Sequence, residues 1–174
     1  MYECHKLGGL IYTSFTLGQT IIMKSTDTEL PHKVSKIRSK IMASIKSKNT
    51  KPELKIRRKL HHLGCRYRLY DKNLPGCPDL VLPKYKVVIF VQGCFWHFHN
   101  CKHFRWPKTN VLFWRKKILG NLNRDISNIL KLQKLDWRIC IWWECTIKND
   151  QSCELSINKF QEWIKNPDDY YLEL

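Results

Sequence analysis

The feature that constrains this chain most is the stretch Gly93-Cys94-Phe95-Trp96-His97-Phe98-His99-Asn100-Cys101. Two cysteines and two histidines fall within eight residues, directly after the apolar run Val87-Val88-Ile89-Phe90-Val91. Zinc favours thiolate and imidazole ligands in a tetrahedron. So short a segment rarely supplies all four ligands without strain, and Cys145, at the end of a later apolar strand, is the natural distant donor. In an extended segment, histidines two apart point opposite ways. One then binds metal while the other faces solvent or substrate. The best assignment is Cys94, His99, Cys101 and Cys145 as ligands, with His97 free. His103 competes on spacing, and the plainer alternative is two buried cysteines beside two surface histidines.

Composition narrows the partner. The chain has 174 residues, with 31 Lys plus Arg against 15 Asp plus Glu, giving a formal charge of +16. That length favours one domain with arms and suffices for a core. Such a basic surplus implies a polyanionic partner, and the seven Trp among many aromatics favour nucleic acid over a merely soluble basic protein. A membrane-surface protein would need a long amphipathic helix with a Lys-rich face, and none stands out. No stretch reaches the roughly 18 apolar residues of a spanning helix. Eight irregularly placed cysteines, without a clear signal peptide, fit reduced thiols in the cytoplasm better than a disulfide scaffold.

Residues 1–33 read as an N-terminal extension, expected to be disordered. Residues 34–49 read as a basic arm, in which Ile37, Ile41 and Ile45 mark one face of a short helix. It is either an ordinary surface helix or an arm that lies on DNA. Residues 50–174 hold the main domain. Thr50-Lys51-Pro52-Glu53 is a capping box, so Glu53 already has a complete structural explanation. The helix it opens stops at Gly64. Arg66 to Tyr70 alternates like a strand, Leu74-Pro75-Gly76-Cys77-Pro78 is turn chemistry, and Asp79-Leu80-Val81-Leu82 is a short apolar strand. Tyr85 to Val91 is a central strand. These two form a hairpin that sets Asp79 near Val91 and Gln92. A helix is expected from about Asn110 to Leu135, capped by Thr109, with Ile118, Leu122, Ile126, Ile129 and Leu130 on its inner face. Trp137 to Trp143 is a buried strand ending at Glu144-Cys145. A last helix carries Ile157, Phe160 and Ile164. The order fits one α/β domain.

Asp79 suits a hard divalent cation such as Mg²⁺, which takes few protein ligands plus water and phosphate oxygens. An isolated Pro-Asp is usually just a turn. Its context here is an acid on a helix, then an acid on a hairpin strand, in a basic protein. Many metal-dependent nucleases carry acid-x-Lys on the following strand, and here that position reads Phe90-Val91-Gln92. Phe95 and Trp96 are either core aromatics or, since a turn between metal ligands has little core to reach, exposed rings that stack on or wedge between bases.

Many ordered blocks with matching gaps then carry one resemblance. They are Arg38-Ser39-Lys40-Ile41-Met42, Thr50-Lys51-Pro52-Glu53-Leu54, Leu74 to Leu80, Val91-Gln92-Gly93-Cys94-Phe95-Trp96-His97 and Phe104-Arg105-Trp106-Pro107. Phe113-Trp114, Asn121, Arg124-Asp125, Trp137-Arg138 and Trp143-Glu144-Cys145 continue it. From about Ser35 to Ile147 the chain resembles the very short patch repair endonucleases, the Vsr family of bacterial mismatch-nicking enzymes. The resemblance implies a restriction-endonuclease-like fold, a mixed central sheet flanked by helices, with a structural zinc site. It implies nicking 5′ to the thymine of a T·G mismatch left by deamination of 5-methylcytosine. Asp79 and the backbone carbonyl of Val91 would hold Mg²⁺, and His97 would be the general base. Glu53 would lie near the site, and Cys94, His99, Cys101 and Cys145 would hold Zn²⁺. Phe95 and Trp96 would intercalate beside the mismatch, with Met42 entering from the other groove. The substrate would be double-stranded DNA, the enzyme a monomer in the cytoplasm at the nucleoid, and mismatch-repair proteins its partners. Two positions depart from the family pattern. Gln92 stands where the family usually has histidine, and Cys77 where many relatives have arginine. Glutamine can hydrogen-bond but cannot titrate.

Overall fold

In the computed structural model, structure is described for Lys40, Ser44 and residues 46–174. The extension at 1–33, most of the expected arm and Met42 lie outside the described residues. Helix α1 (Lys51–His62) begins as its capping box requires. Thr50 caps the Glu53 N–H, and the Glu53 carboxylate accepts from the Thr50 N–H. The strands β1 (Arg68–Leu69), β2 (Leu80–Leu82) and β3 (Val87–Gln92) follow, with a 3-10 turn at Pro83–Tyr85 between β2 and β3. Helix α2 (Val111–Lys134) crosses over to β4 (Arg138–Trp143). The short α3 (Glu144–Ile147), the longer α4 (Asp150–Lys165) and β5 (Tyr171–Glu173) complete the chain.

The strands form one mixed sheet in the order β1-β2-β3-β4-β5. Pairing is antiparallel from β1 through β3 and parallel from β3 through β5. β3 is therefore central, as the unbroken apolar run demands. Side chains alternate between the two faces along each strand. Leu80, Leu82, Val87, Ile89, Cys140 and Trp142 pack with α1, α3 and α4. Val81, Val88, Ile139, Ile141 and Trp143 pack on the other face with Ile129 and Leu132 of α2 and with Cys94. The result is a mixed sheet flanked by helices, with a core on each side. Among the described residues no helix is long and apolar enough to cross a membrane.

Several local expectations need correction. The strand expected over Arg66 to Tyr70 shrinks to its middle pair, because only that pair meets a partner, Val81 and Leu80. Thr109 does not cap α2. That position falls to Asn110, whose φ of 51° is left-handed and whose side chain makes no capping bond. On α2 the buried face runs through Ile118, Ile129 and Leu132, while Leu130 is exposed. β5 was not read from the sequence at all. It adds to the sheet edge through backbone bonds such as Ile139 N–H to the Tyr170 carbonyl at 2.9 Å.

Arg138 fixes the end of α4 to the sheet. It is buried, and its guanidinium donates to the carbonyls of Trp163 (2.7 Å), Ile164 (3.3 Å), Asn166 (2.7 Å) and Asp169 (2.9 Å). It also lies 4.1 Å from the Trp163 ring centroid. Trp163, Ile164 and Asn166 lie at the helix end, where carbonyls lose their ordinary intrahelical partners, and Asp169 follows in the turn to β5. Arg138→Ala is expected to lower unfolding stability by about 3 kcal/mol, since several bonds to a charged donor vanish together. Urea denaturation measures this, and a loss under about 1 kcal/mol would mean that water serves those carbonyls equally well.

A cleft at the strand ends and a neighbouring Cys3His cluster

The antiparallel β2–β3 pair sets Asp79, just before β2, beside the C-terminal end of β3. The Val91 N–H donates to Asp79 Oδ2 at 2.8 Å, as the hairpin reading required. This is the only hydrogen bond made by that carboxylate among the described residues. Burial pushes the Asp79 carboxyl up to about 6. The Val91 N–H opposes this, the nearby Glu53 charge adds to it, and Arg57 and His97 pull the other way. A half-buried carboxylate with open lone pairs, facing a cleft, could hold a cation.

The cleft has a volume of about 820 Å³. Glu53, Asp79, Gln92, Trp96, His97 and Asp125 are among its walls, and Lys46, Lys48 and Lys117 bring positive charge to it. It opens where the parallel strands β3 and β4 end, a common place for ligands in open α/β sheets. His97 Nδ1 lies 2.6 Å from Asp125 Oδ2 of α2. A carboxylate on one ring nitrogen fixes the ring and leaves the other nitrogen for chemistry. Asp125 had no role assigned from sequence. It sits within a matching block, but only the crossing of α2 over the sheet reveals its partner. Gln92 is buried at 7% exposure, lines the cleft and makes no side-chain hydrogen bond among the described residues.

Glu53 is engaged on both oxygens. Oε1 accepts from the Thr50 hydroxyl at 2.8 Å, and Oε2 from Arg57 at 2.7 Å, the Tyr70 hydroxyl at 2.6 Å and the Asn49 N–H at 3.0 Å. Burial first, and then the bond to Glu53, push the Tyr70 phenol up. Tyr70 and Arg57 were not singled out from sequence either.

Behind the cleft the knuckle folds back on itself. The Gly93 carbonyl accepts from the N–H groups of Trp96 (3.1 Å) and His97 (3.2 Å), and the His99 N–H reaches the Cys94 carbonyl at 3.0 Å. A Cβ on Gly93 would stand 3.3 Å from the Trp96 ring, so glycine lets that ring close over the backbone. The segment is thus a series of turns rather than the extended strand expected. His97 and His99 still part company, because Phe98 between them has a left-handed φ of 56°. Such a φ is uncommon outside glycine and costly for a bulky side chain.

Cys94, His99, Cys101 and Cys145 bring ligand atoms within 4.8 Å of one another. His99 presents Nδ1 to the sulfurs, at 3.4 Å from Cys94 and 3.5 Å from Cys145. Its ring stacks on Trp143, with centroids 4.1 Å apart. This is a Cys3His metal-binding cluster with the four members expected; His103 is not among them. Burial pushes the Cys94 thiol up to about 12 and also raises Cys145. For Cys101 burial acts upward too, but the N–H groups of His103 and Phe104 and the other two thiols bring it below the usual range. Burial lowers His99, against the pull of Glu173. A metal would displace the thiol protons, so its binding is also a folding contribution.

Phe95 and Trp96 are half-buried rather than open. They join Phe98, Phe104, Trp106, Phe113 and Trp114 in one aromatic cluster, with Phe95 5.1 Å from Trp96 and 5.3 Å from Trp114. Asn121 of α2 donates to the Trp96 carbonyl at 2.8 Å, which ties this lip of the cleft to the helix that carries Asp125.

Comparison with known proteins identifies relatives of the chain. The family model described as DNA mismatch endonuclease Vsr matches residues 24–103. The chain is 44% identical over 129 residues to the type II nicking enzyme V.NmeAIP of Neisseria meningitidis serogroup A, covering 74% of this chain and 92% of that one. It is 40% identical over 129 residues to the DNA mismatch endonuclease Vsr of Escherichia coli K12, covering 73% of this chain and 83% of that one. A third relative, the type II nicking enzyme V.XorIIP of Xanthomonas oryzae, is 41% identical over 109 residues, 63% of this chain and 80% of the relative. At that identity and coverage, the chain belongs to the Vsr family of DNA mismatch endonucleases.

Proposed function

We propose that this chain is a Mg²⁺-dependent endonuclease that nicks one strand of double-stranded DNA 5′ to the thymine of a T·G mismatch, the lesion left when 5-methylcytosine deaminates. The observation that carries the reading is the convergence of Asp79 and the His97–Asp125 pair in one basic cleft, in a member of this family. The restriction-endonuclease-like fold belongs to the same reading.

The roles follow from the chemistry of each group. Asp79 has open lone pairs and an unfavourable half-buried charge, so it fits a hard divalent cation, and the Val91 carbonyl at the same strand end is proposed as its second protein ligand. Bound there, Mg²⁺ would draw charge from the scissile phosphate and make a coordinated water more acidic. His97 accepts the proton of the attacking water, and Asp125 holds its ring and stabilises the imidazolium that results. Gln92 hydrogen-bonds to water or phosphate without carrying a proton. Lys46, Lys48 and Lys117 receive the phosphate backbone. Glu53 orders the cleft wall. The three thiols and one imidazole suit Zn²⁺.

Phe95 and Trp96 are proposed to enter the stack beside the mismatch, with Met42 from the opposite groove. A mismatched step unstacks at lower cost, so the wedge itself selects the substrate. The edge-to-face packing of these rings is the state from which they would be delivered. The relatives named type II nicking enzymes favour a sequence-restricted nickase as the second reading.

The test is a nicking assay on T·G, fully paired and single-stranded DNA of the same sequence, with and without Mg²⁺. The proposed function expects cutting of the T·G duplex alone and only with the metal. Equal cutting of the paired duplex would overturn mismatch specificity, and tight T·G binding without any cutting would leave a mismatch-binding protein weakened at Gln92.

A further inference from the structure

The root of the basic segment that lines the cleft is held in an unusual way. Asn49 has a left-handed φ of 54°, a conformation that asparagine tolerates better than most residues but that still needs support. Its N–H points at both Glu53 Oε2 (3.0 Å) and the Tyr70 hydroxyl (2.7 Å), and its side-chain oxygen accepts from Arg57 Nη1 at 2.6 Å. Tyr70 ties these together. Its hydroxyl donates to Glu53 at 2.6 Å and accepts from Arg57 Nη2 at 2.5 Å as well as from Asn49. A phenol has one donor and two acceptor positions, and all are used. Lys48 Nζ stands 4.7 Å from the Tyr70 ring centroid, and the Arg57 guanidinium 4.9 Å. Lys46 and Lys48 line the cleft on the N-terminal side of this bend.

We infer that Tyr70 is a positioning residue, a latch whose hydroxyl locks the bend at Asn49 and so aims Lys46 and Lys48 into the cleft. This deepens the nuclease reading and rests on it only for the consequence in DNA binding. The latch itself is a property of the free protein. Glu53 is its hub, since five donors from four residues surround its carboxylate. Held so, Glu53 acts by charge and by geometry, and lifts the Asp79 carboxyl from a distance.

The variant Tyr70→Phe removes the hydroxyl and keeps the ring. Limited trypsin digestion, followed by mass spectrometry, reads the bonds after Lys46 and Lys48 directly. Cleavage there is expected to rise about tenfold, the scale of one hydrogen bond to charged partners. Cleavage in α2, after Lys131 and Lys134, should stay unchanged, and the melting temperature should fall by no more than a few degrees, about what one such bond is worth in a domain of this size. With T·G duplex, KM is expected to rise about tenfold at unchanged kcat, because aim and not chemistry is lost. Tyr67→Phe is the control. Its hydroxyl bonds the Arg57 carbonyl at 3.2 Å, away from Asn49, and its loss should move neither readout. Unchanged cleavage after Lys46 and Lys48 in Tyr70→Phe would overturn the latch. So would a uniform rise across the chain, which is what general destabilisation produces. Absence of nicking by the unmodified protein would sink the nuclease reading and leave the digestion result to decide the latch alone.

Discussion

Asp79→Asn is expected to abolish nicking and to make the metal-free protein more stable above pH 6. The two effects come from one cause. Asp79 is half-buried, and the loss of water around it pushes its carboxyl up to about 6, against an ordinary value of 3.8. The folded state therefore binds more protons than the unfolded chain between those values. Stability of the metal-free wild type should fall as pH rises through that window, by about 3 kcal/mol when complete. Below it both states are protonated and the difference vanishes. Asparagine keeps an acceptor for the Val91 N–H and removes the charge, so the slope should flatten. Nicking should drop by at least about 10³-fold, the scale of losing a metal that supplies several kcal/mol to the transition state. Urea titrations from pH 4 to 8 and single-turnover nicking test the pair. A variant that still nicks would move the metal elsewhere. A variant equally pH-dependent would clear Asp79 of the titration.

Cys145→Ser should have the second large effect, on folding rather than on chemistry. Cys145 lies in α3, directly after β4, whereas the other three members of the cluster sit in the knuckle after β3. A metal there joins the ends of two parallel strands. Structural zinc contributes about 10 kcal/mol or more in small domains, and loss of one thiolate should forfeit several kcal/mol of it. We expect a fall in melting temperature of about 10 °C or more for a domain of this size, and chelation should match it in the wild type without lowering the variant further. Nicking should fail too, since His97 and Trp96 ride on the same turns. Equal melting of variant and wild type, with and without chelator, would deny the cluster a structural role.

What was legible in the sequence was what short-range rules determine. The capping box is a local motif, and Thr50 and Glu53 form it as spaced. The unbroken run in β3 could only be a central strand, and a two-strand hairpin had to bring Asp79 to Val91. Cys145 is legible because so short a knuckle needs a distant fourth ligand and this thiol stands at the end of the later apolar strand. Other features depend on contacts between elements far apart in sequence. His97 and Asp125 are 28 residues apart, and Tyr70 and Asn49 are 21 apart. Neither spacing follows any helical or strand period. β5 is short and half-exposed, so no pattern of alternation marks it, and its backbone bonds to β4 define it. The left-handed φ of Phe98 carries no sequence signal, because phenylalanine is not a type that favours that conformation; Asn110 is such a type, but asparagine also occurs widely with ordinary φ. The proposed roles of Phe95, Trp96, Met42 and Gln92 come from the resemblance, since no local rule of spacing assigns them.

The placing of the cluster has a consequence for how the chain reaches its fold. The antiparallel half, β1 through β3, closes through neighbouring segments, which form quickly. β4 can pair with β3 only after α2 has brought it back, and His99 and Cys145 are 46 residues apart. A metal captured by the three knuckle ligands would offer Cys145 a waiting partner, and its arrival would end the search by closing that loop. Metal supply during synthesis would then speed the docking of the parallel half, and with it the assembly of the cleft at the ends of β3 and β4.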